Sequence, residues 1–179
     1  MAVTASAESA ASDWPDALYE LLIENDITQF TYVPDAGHQV LIDRSLADSS
    51  IHAISLTTEE EGVAVLAGAH LGGKRGVLLM QSSGVGNCIN LLSLMTGARF
   101  PFLTIVSMRG DFGEGNAWQF PMGKSTQPVL EASGITCLRI DTPEEVIPTV
   151  TAAITMAFQA DAQVAVLLTQ KLLGAKAFA

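Results

Sequence analysis

GVLLMQSSGVGNCINLLSLMTGARFPFLTIVS, residues 76–107, holds two continuously apolar runs, 76–80 and 102–107, separated by a glycine turn and a helical pattern. An apolar run without alternation is a strand covered on both faces, as in a parallel sheet with helices above and below. A strand, a helix and a second such strand make the repeating unit of that architecture. The same alternation continues on either side. Further β-rich runs stand at FTYV (30–33), HAIS (52–55), TCLRI (136–140) and VAVLL (164–168), and helical patterns fill 37–48, 58–72, 86–97, 125–133 and 143–159. WPDALYELLIEN, 14–25, adds a helix before the first strand, with Leu18, Leu21 and Leu22 at helical spacing and Pro15 in the first turn. The predicted fold class is therefore α/β, a three-layer α/β/α domain with a parallel sheet of about six strands. Residues 1–13 are small and polar and are expected to be loose, which leaves 14–179 as one domain without an internal linker.

Composition narrows the function. The chain has 179 residues, 49% of them hydrophobic and 16% charged, which suits a folded domain rather than a disordered or fibrous one. Nine Lys and Arg stand against nineteen Asp and Glu, for a net charge of −10. A nucleic-acid partner needs a basic face to displace counterions, and an anionic membrane surface needs the same, so neither is expected. Mean hydropathy is high at +0.34, yet no apolar run reaches the ~20 residues of a membrane span. The apolar excess must be buried in the fold or against another chain. Two cysteines, Cys88 and Cys137, make neither a disulfide framework nor a zinc site, and the N-terminus has no basic, apolar leader, so a reducing cytoplasm is expected.

Several stretches bear chemistry. In TTEEEG, Thr57 or Thr58 is a natural helix cap, and Glu59, Glu60 and Glu61 fill the first turn, where acids complement the positive helix end. Three acids exceed what capping needs, and they follow the second strand at the edge where α/β folds bind ligands. QSSGVGN, 81–87, follows the third strand with a Gly-x-Gly turn that lets backbone approach a ligand. It lacks the third glycine of a dinucleotide fingerprint, and Gly123-Lys124-Ser125 lacks the upstream glycine of a P-loop. In VPDAGH, Asp35 and His38 follow the first strand, either as turn and cap or at the ligand edge. His52 and His70 read as structural, and Cys88 as a packed thiol. No Gly-x-Ser-x-Gly elbow is present. The loop 108–124, MRGDFGEGNAWQFPMGK, is long enough to be functional.

Together these pieces resemble a known family. Glu59, Gly68 nine residues on, a strand, then Ser83-Gly84-Val85-Gly86 and Asn90 is similar to the pattern of the pyrimidine-binding (PYR) domain of thiamine-diphosphate enzymes. VPD at 33–35, MQSSGVGN at 80–87 and MRGDFGE at 108–114 resemble the alpha subunits of sulfopyruvate decarboxylases and the related phosphonopyruvate decarboxylases. The resemblance covers nearly the whole chain from residue 14.

That resemblance implies an enzyme, a carbon–carbon lyase acting on an anionic 2-oxo acid, with 3-sulfopyruvate giving sulfoacetaldehyde and CO₂. It implies thiamine diphosphate as cofactor, with Glu59 hydrogen-bonding its aminopyrimidine and Glu60 next in register. Gln81, Ser82, Ser83, Gly84 and Asn87 would line the pyrimidine pocket, and Asp35 and His38 would serve proton transfer. Members also need a diphosphate-binding (PP) domain carrying Gly-Asp-Gly, and these 179 residues contain no such motif. The resemblance therefore implies a PP-domain beta subunit that holds Mg²⁺ and the diphosphate, in an α₂β₂ or larger assembly. For the dianionic substrate the expected cations are Arg109, whose guanidinium can fork onto sulfonate or phosphonate oxygens, and Lys124. A phosphonopyruvate decarboxylase, a carboligase and a non-catalytic ligand-binding module stand as alternatives.

Overall fold

A computed structural model describes the backbone of residues 4–177 and side-chain surroundings from residue 14. Strands β1 (Ile27–Tyr32), β2 (His52–Ser55), β3 (Arg75–Gln81), β4 (Phe102–Ser107), β5 (Thr136–Ile140) and β6 (Gln163–Leu168) form one sheet in the order β2-β1-β3-β4-β6-β5. Every pairing is parallel. The apolar runs occupy the middle: all six residues of β4 and five of six in β6 are buried. The edge strands β2 and β5 are largely open, because one neighbour is missing and one face is only partly covered.

Two-residue alternation divides the core. Val77, Leu79, Leu103, Ile105, Val164 and Val166 point to one side, where they meet helices α1 (Thr4–Glu24), α2 (Gln39–Ala47) and α7 (Val146–Gln159) through Leu18, Leu22, Ile42, Val150 and Ala153. Leu78, Met80, Val106, Ala165 and Leu167 point to the other. There they meet α3 (Glu59–Leu71), α4 (Ser82–Cys88), α5 (Leu92–Ala98) and α6 (Phe120–Ala132) through Val63, Leu66, Cys88, Leu92, Met95 and Leu130. Each fully buried aliphatic side chain stabilises the fold by about 1.5–3 kcal/mol, so the central strands carry most of the apolar gain.

Some boundaries differ from the sequence expectation. The loose segment expected at 1–13 lies outside the residues whose side chains are described, and Pro15 falls inside α1 rather than in its first turn. The single helix expected at 86–97 is two, α4 and α5, and α4 begins at Ser82, so Gly84 and Gly86 are helical and not part of a turn. Likewise α6 begins at Phe120, which shortens the loop after β4 and puts Lys124 within a helix. A short helix, α8 (Gln170–Leu173), follows the last strand.

The topology makes one crevice. From β1 the chain passes through α2 outward to β2, while from β3 it passes through α4 and α5 the other way to β4. The carboxyl ends of β1 and β3 are adjacent, and their loops diverge there, which is where open α/β sheets hold ligands.

Candidate active site

Glu59 opens α3 directly after β2, and the three acids of that turn are sorted by their surroundings. Glu61 reaches back so that its Oε2 accepts the Thr57 N–H at 2.8 Å, which does the capping that no threonine side chain performs. Glu60 is exposed. Glu59 turns inward and is only 8% exposed. Its Oε2 accepts a hydrogen bond from Asn87 Nδ2 at 2.7 Å, and its carboxyl group lies flat on α4 at Gly84. A Cβ on Gly84 would collide with the Glu59 carboxyl, so any side chain there must displace it. Oε1 accepts no hydrogen bond among the described residues. One carboxylate oxygen is thus anchored, and the other has hydrogen-bond capacity unfilled by the described residues.

The glycine that seats α3 on the sheet is Gly62, whose Cβ would come within 2.5 Å of Leu78 Cδ1. At Gly68, the position that sets the register of the resemblance, an added Cβ would meet nothing within 4 Å.

Asp35 lies across the crevice, after β1. It caps a 3₁₀ turn, Ala36–His38, by accepting the Gly37 N–H at 3.0 Å. The same Oδ2 accepts from Ser107 Oγ at 2.5 Å, and Oδ1 accepts from Gln81 Nε2 at 3.2 Å, so β1, β3 and β4 meet on this one carboxylate. Burial works to raise its pKa, but the nearby imidazole of His38 and the donors on Ser107 and Gln81 outweigh it and hold the carboxyl well below the usual carboxylate range. His38 is fully buried. Its Nδ1 stands 3.3 Å from Asp35 Oδ2 without hydrogen-bond alignment, and neither ring nitrogen has a hydrogen-bond partner.

Gln81 ties Asp35 to the start of α4. Its Nε2 donates to Asp35 and its Oε1 accepts from Ser83 Oγ at 2.9 Å. Ser82 is fully buried and serves structure: its Oγ accepts the Arg109 N–H at 3.0 Å, and its carbonyl accepts from Thr126 Oγ1 at 3.3 Å. Glu59 and Asp35 share no hydrogen bond.

Arg109 is not a free anion receptor. Its Nε and Nη2 donate to both oxygens of Glu114, at 2.5 and 2.8 Å, and Glu114 is almost fully buried. This fork pulls the Glu114 carboxyl down to about 2, chiefly through the Arg109 hydrogen bond. Gln170 completes the loop: its Oε1 accepts the N–H groups of Asp111 and Phe112 at 3.1 and 3.2 Å, and its Nε2 donates to Glu114 at 3.0 Å. Lys124 is exposed on α6 and does not join this cluster. The pairing was open to reading, since MRGDFGE carries its own counter-ion five residues after the arginine. Gln170 and Ser107 carried no comparable local signal.

Beside Asp35 a cleft of about 310 Å³ opens on the α1 and α2 side of the edge, with Trp14, Asp35, His38, Arg109, Gln170 and Lys176 in its wall. Away from it, His52 is exposed, and His70 rests against the Phe100 ring at 4.9 Å between centroids. Burial pushes the Cys88 thiol up to about 12, which leaves it unreactive. Among the described residues no group of three or more His, Cys, Asp or Glu is placed to hold a metal ion, and no helix is long and apolar enough to cross a membrane.

Comparison with known proteins adds three findings. The sulfopyruvate decarboxylase subunit alpha of Methanococcus maripaludis is 36% identical over 154 residues, spanning 86% of this chain and 92% of that one. The phosphonopyruvate decarboxylase of Streptomyces viridochromogenes is 38% identical over 107 residues, spanning 59% of this chain but 27% of that one. Among solved structures, the 2-oxoglutarate:ferredoxin oxidoreductase of Magnetococcus marinus superposes with a TM-score of 0.72 over 89% of this chain and 29% of that one, at 16% identity, a likeness of fold. No model of a protein family matches.

Proposed function

From the premise that the chain belongs to the family of sulfopyruvate decarboxylase alpha subunits, relatives named as 2-oxo acid carboxy-lyases, we propose that it is the pyrimidine-binding half of a thiamine-diphosphate enzyme that converts 3-sulfopyruvate to sulfoacetaldehyde and CO₂. A beta subunit supplies the PP domain and the Mg²⁺. The carrying observation is Glu59: a buried carboxylate seated on Gly84, fixed by Asn87 through one oxygen, with the other oxygen free.

The donor set fits one end of the cofactor only. Glu59 Oε1 suits a protonated ring nitrogen, and the rim of Gln81, Ser83 and Asn87 offers polar groups to an aminopyrimidine. Nothing among the described residues suits a diphosphate with its cation. When bound, the cofactor supplies the carbanion chemistry of decarboxylation. The role of Glu59 is to accept and hold a proton shared with the pyrimidine, at an oxygen whose position Asn87 and Gly84 fix. Ser82 holds the floor of that pocket by bonding Arg109 and Thr126 rather than by touching the ligand.

Asp35 takes a different part from the general acid that a bare Asp-His pair suggests. A carboxyl kept ionised well below neutral pH gives up no proton at pH 7; it accepts and orients. Arg109 frames the loop and leaves the substrate anion to another cation. That the matched region spans only 27% of the phosphonopyruvate decarboxylase supports a second polypeptide completing the catalyst. The same relative favours phosphonopyruvate as the second substrate reading, since both acids present an anionic tail.

The test is Glu59→Gln in the complex reconstituted with its beta subunit, thiamine diphosphate and Mg²⁺. The expected outcome is a loss of about 10²–10⁴ in decarboxylation rate, the contribution of positioned proton transfer, with assembly intact. A variant that keeps the wild-type rate removes Glu59 from the mechanism.

A further inference from the structure

We propose that Lys176 receives the anionic tail of the substrate, which makes the cleft beside Asp35 an anion subsite for a sulfonate or phosphonate; this rests on the reading of the chain as part of an anionic 2-oxo acid decarboxylase.

The polar groups of the cleft are nearly all satisfied from within. Both oxygens of Asp35 accept hydrogen bonds, and Ser107 donates to one of them. Arg109 is neutralised by Glu114. The Gln170 amide is engaged at both ends. What remains is His38, whose ring nitrogens have no partner, and Lys176, whose ammonium makes no ion pair or hydrogen bond among the described residues.

Lys176 is held in place by its backbone. Its N–H donates to the Gly113 carbonyl at 3.0 Å, its carbonyl accepts the Gly115 N–H at 2.8 Å, and it bridges in parallel with Glu114. The backbone that carries this exposed lysine is therefore tied to the same loop that Arg109 and Gln170 hold in shape.

A census of the nine cations leaves no equivalent. Arg44 pairs with Asp16 and Glu20, Arg139 with Asp111, and Lys171 with Asp141. Lys74 and Arg75 lie where β3 begins and Arg99 lies before β4, at the opposite edge of the sheet. Lys124 sits outside the cleft. In a chain of net charge −10, an anionic substrate needs a local cation to enter, and among the described residues Lys176 is the one in the cleft wall whose charge is not already matched by a carboxylate.

The chain has two tryptophans; Trp14 lines the cleft and Trp118 is 90% exposed. A Trp118→Phe chain thus carries its one indole reporter at the proposed subsite. Titrated with sulfoacetate, which bears a carboxylate and a sulfonate, this chain is expected to show saturable change in Trp14 fluorescence. Adding Lys176→Met should weaken binding about tenfold, the scale of one charge-assisted contact. Lys176→Arg should restore most of it, and Lys74→Met should leave it unchanged. Absence of saturable binding, undiminished binding in Lys176→Met, or equal weakening in Lys74→Met overturns the assignment. In the complete αβ complex, Lys176→Met should raise KM for sulfopyruvate about tenfold, with kcat and the KM for pyruvate unchanged; a loss confined to kcat would overturn it too. A complex that decarboxylates neither acid sinks the proposed function, while the sulfoacetate titration still decides whether Lys176 holds the anion.

Discussion

Glu59 and Asp35 stand at the same sheet edge, and they differ in how far their own chain fills their hydrogen-bond capacity. Asp35 has both oxygens engaged by its own chain, accepting from a backbone N–H of the turn it caps and from a serine and a glutamine at two strand ends. Glu59 has one oxygen tied to Asn87 and the other left open, pressed against a helix that has no side chain at that point. A fully satisfied carboxylate fixes geometry and keeps its charge. A half-satisfied one, held rigid, is available to a ligand. Burial does not distinguish the two; unfilled hydrogen-bond capacity does.

The strongest way to break this contrast is Gly84→Ala. The new Cβ must displace the Glu59 carboxyl, and a shift near 1 Å costs about 10²-fold in turnover; we expect that loss in kcat/KM of the reconstituted complex. Activity within twofold of wild type would mean that the seat of Glu59 is not rigid. Next is Asp35→Asn, which puts an amide N–H where Ser107 or Gln81 already donates. A loss of about 1–3 kcal/mol is expected from an unsatisfied buried group, read as a lower urea midpoint, whereas an unchanged midpoint would make the three-strand junction dispensable.

A third measurement sharpens the view that satisfied acids serve architecture. Glu114 has its pKa depressed in the fold to about 2 from an ordinary 4.5. Its stabilisation is complete above the unfolded value and is lost as pH falls through the folded one. The stability difference between wild type and Glu114→Gln should be constant from neutral pH to about 5 and shrink toward pH 2. A difference that ignores pH would mean that Glu114 acts by shape alone. The smallest effect expected is at Gly68, where an added methyl group would meet open space. Gly68→Ala should gain up to about 1 kcal/mol of helix stability and leave activity unchanged. A loss of activity there would instead place a partner's surface over α3.

The sheet was legible because its central strands are buried on both sides and therefore unbroken in sequence, as in VLLM and FLTIV. The spacing to Gly68 singled out Glu59, the one acid of its turn that the fold buries, although that glycine has no steric duty in the fold. Where the sequence misled, the cause was tertiary. Gly84 and Gly86 look like a turn because glycine disfavours helices, yet α4 runs through both; Glu59 fills the space above the first, and Met122 lies near the second. For Arg109 the spacing put a counter-ion, Glu114, within view five positions on, but only the closure of the glycine-rich loop brings the two together. Gln170, which organises that loop, lies 59 positions from Asp111 and has no pattern around it to mark the role.

That last separation has a consequence for how the molecule is made. The loop after β4 takes its shape from Gln170 and from the strap at Lys176, so it stays unshaped while the ribosome is still writing the segment between. At about 5–20 residues per second, 59 residues take roughly 3–12 s. During that interval the nascent chain already has β1, β3 and β4 to pair, but not the rim beside them. The rim of the cleft therefore takes its final form only after translation has passed the last helix.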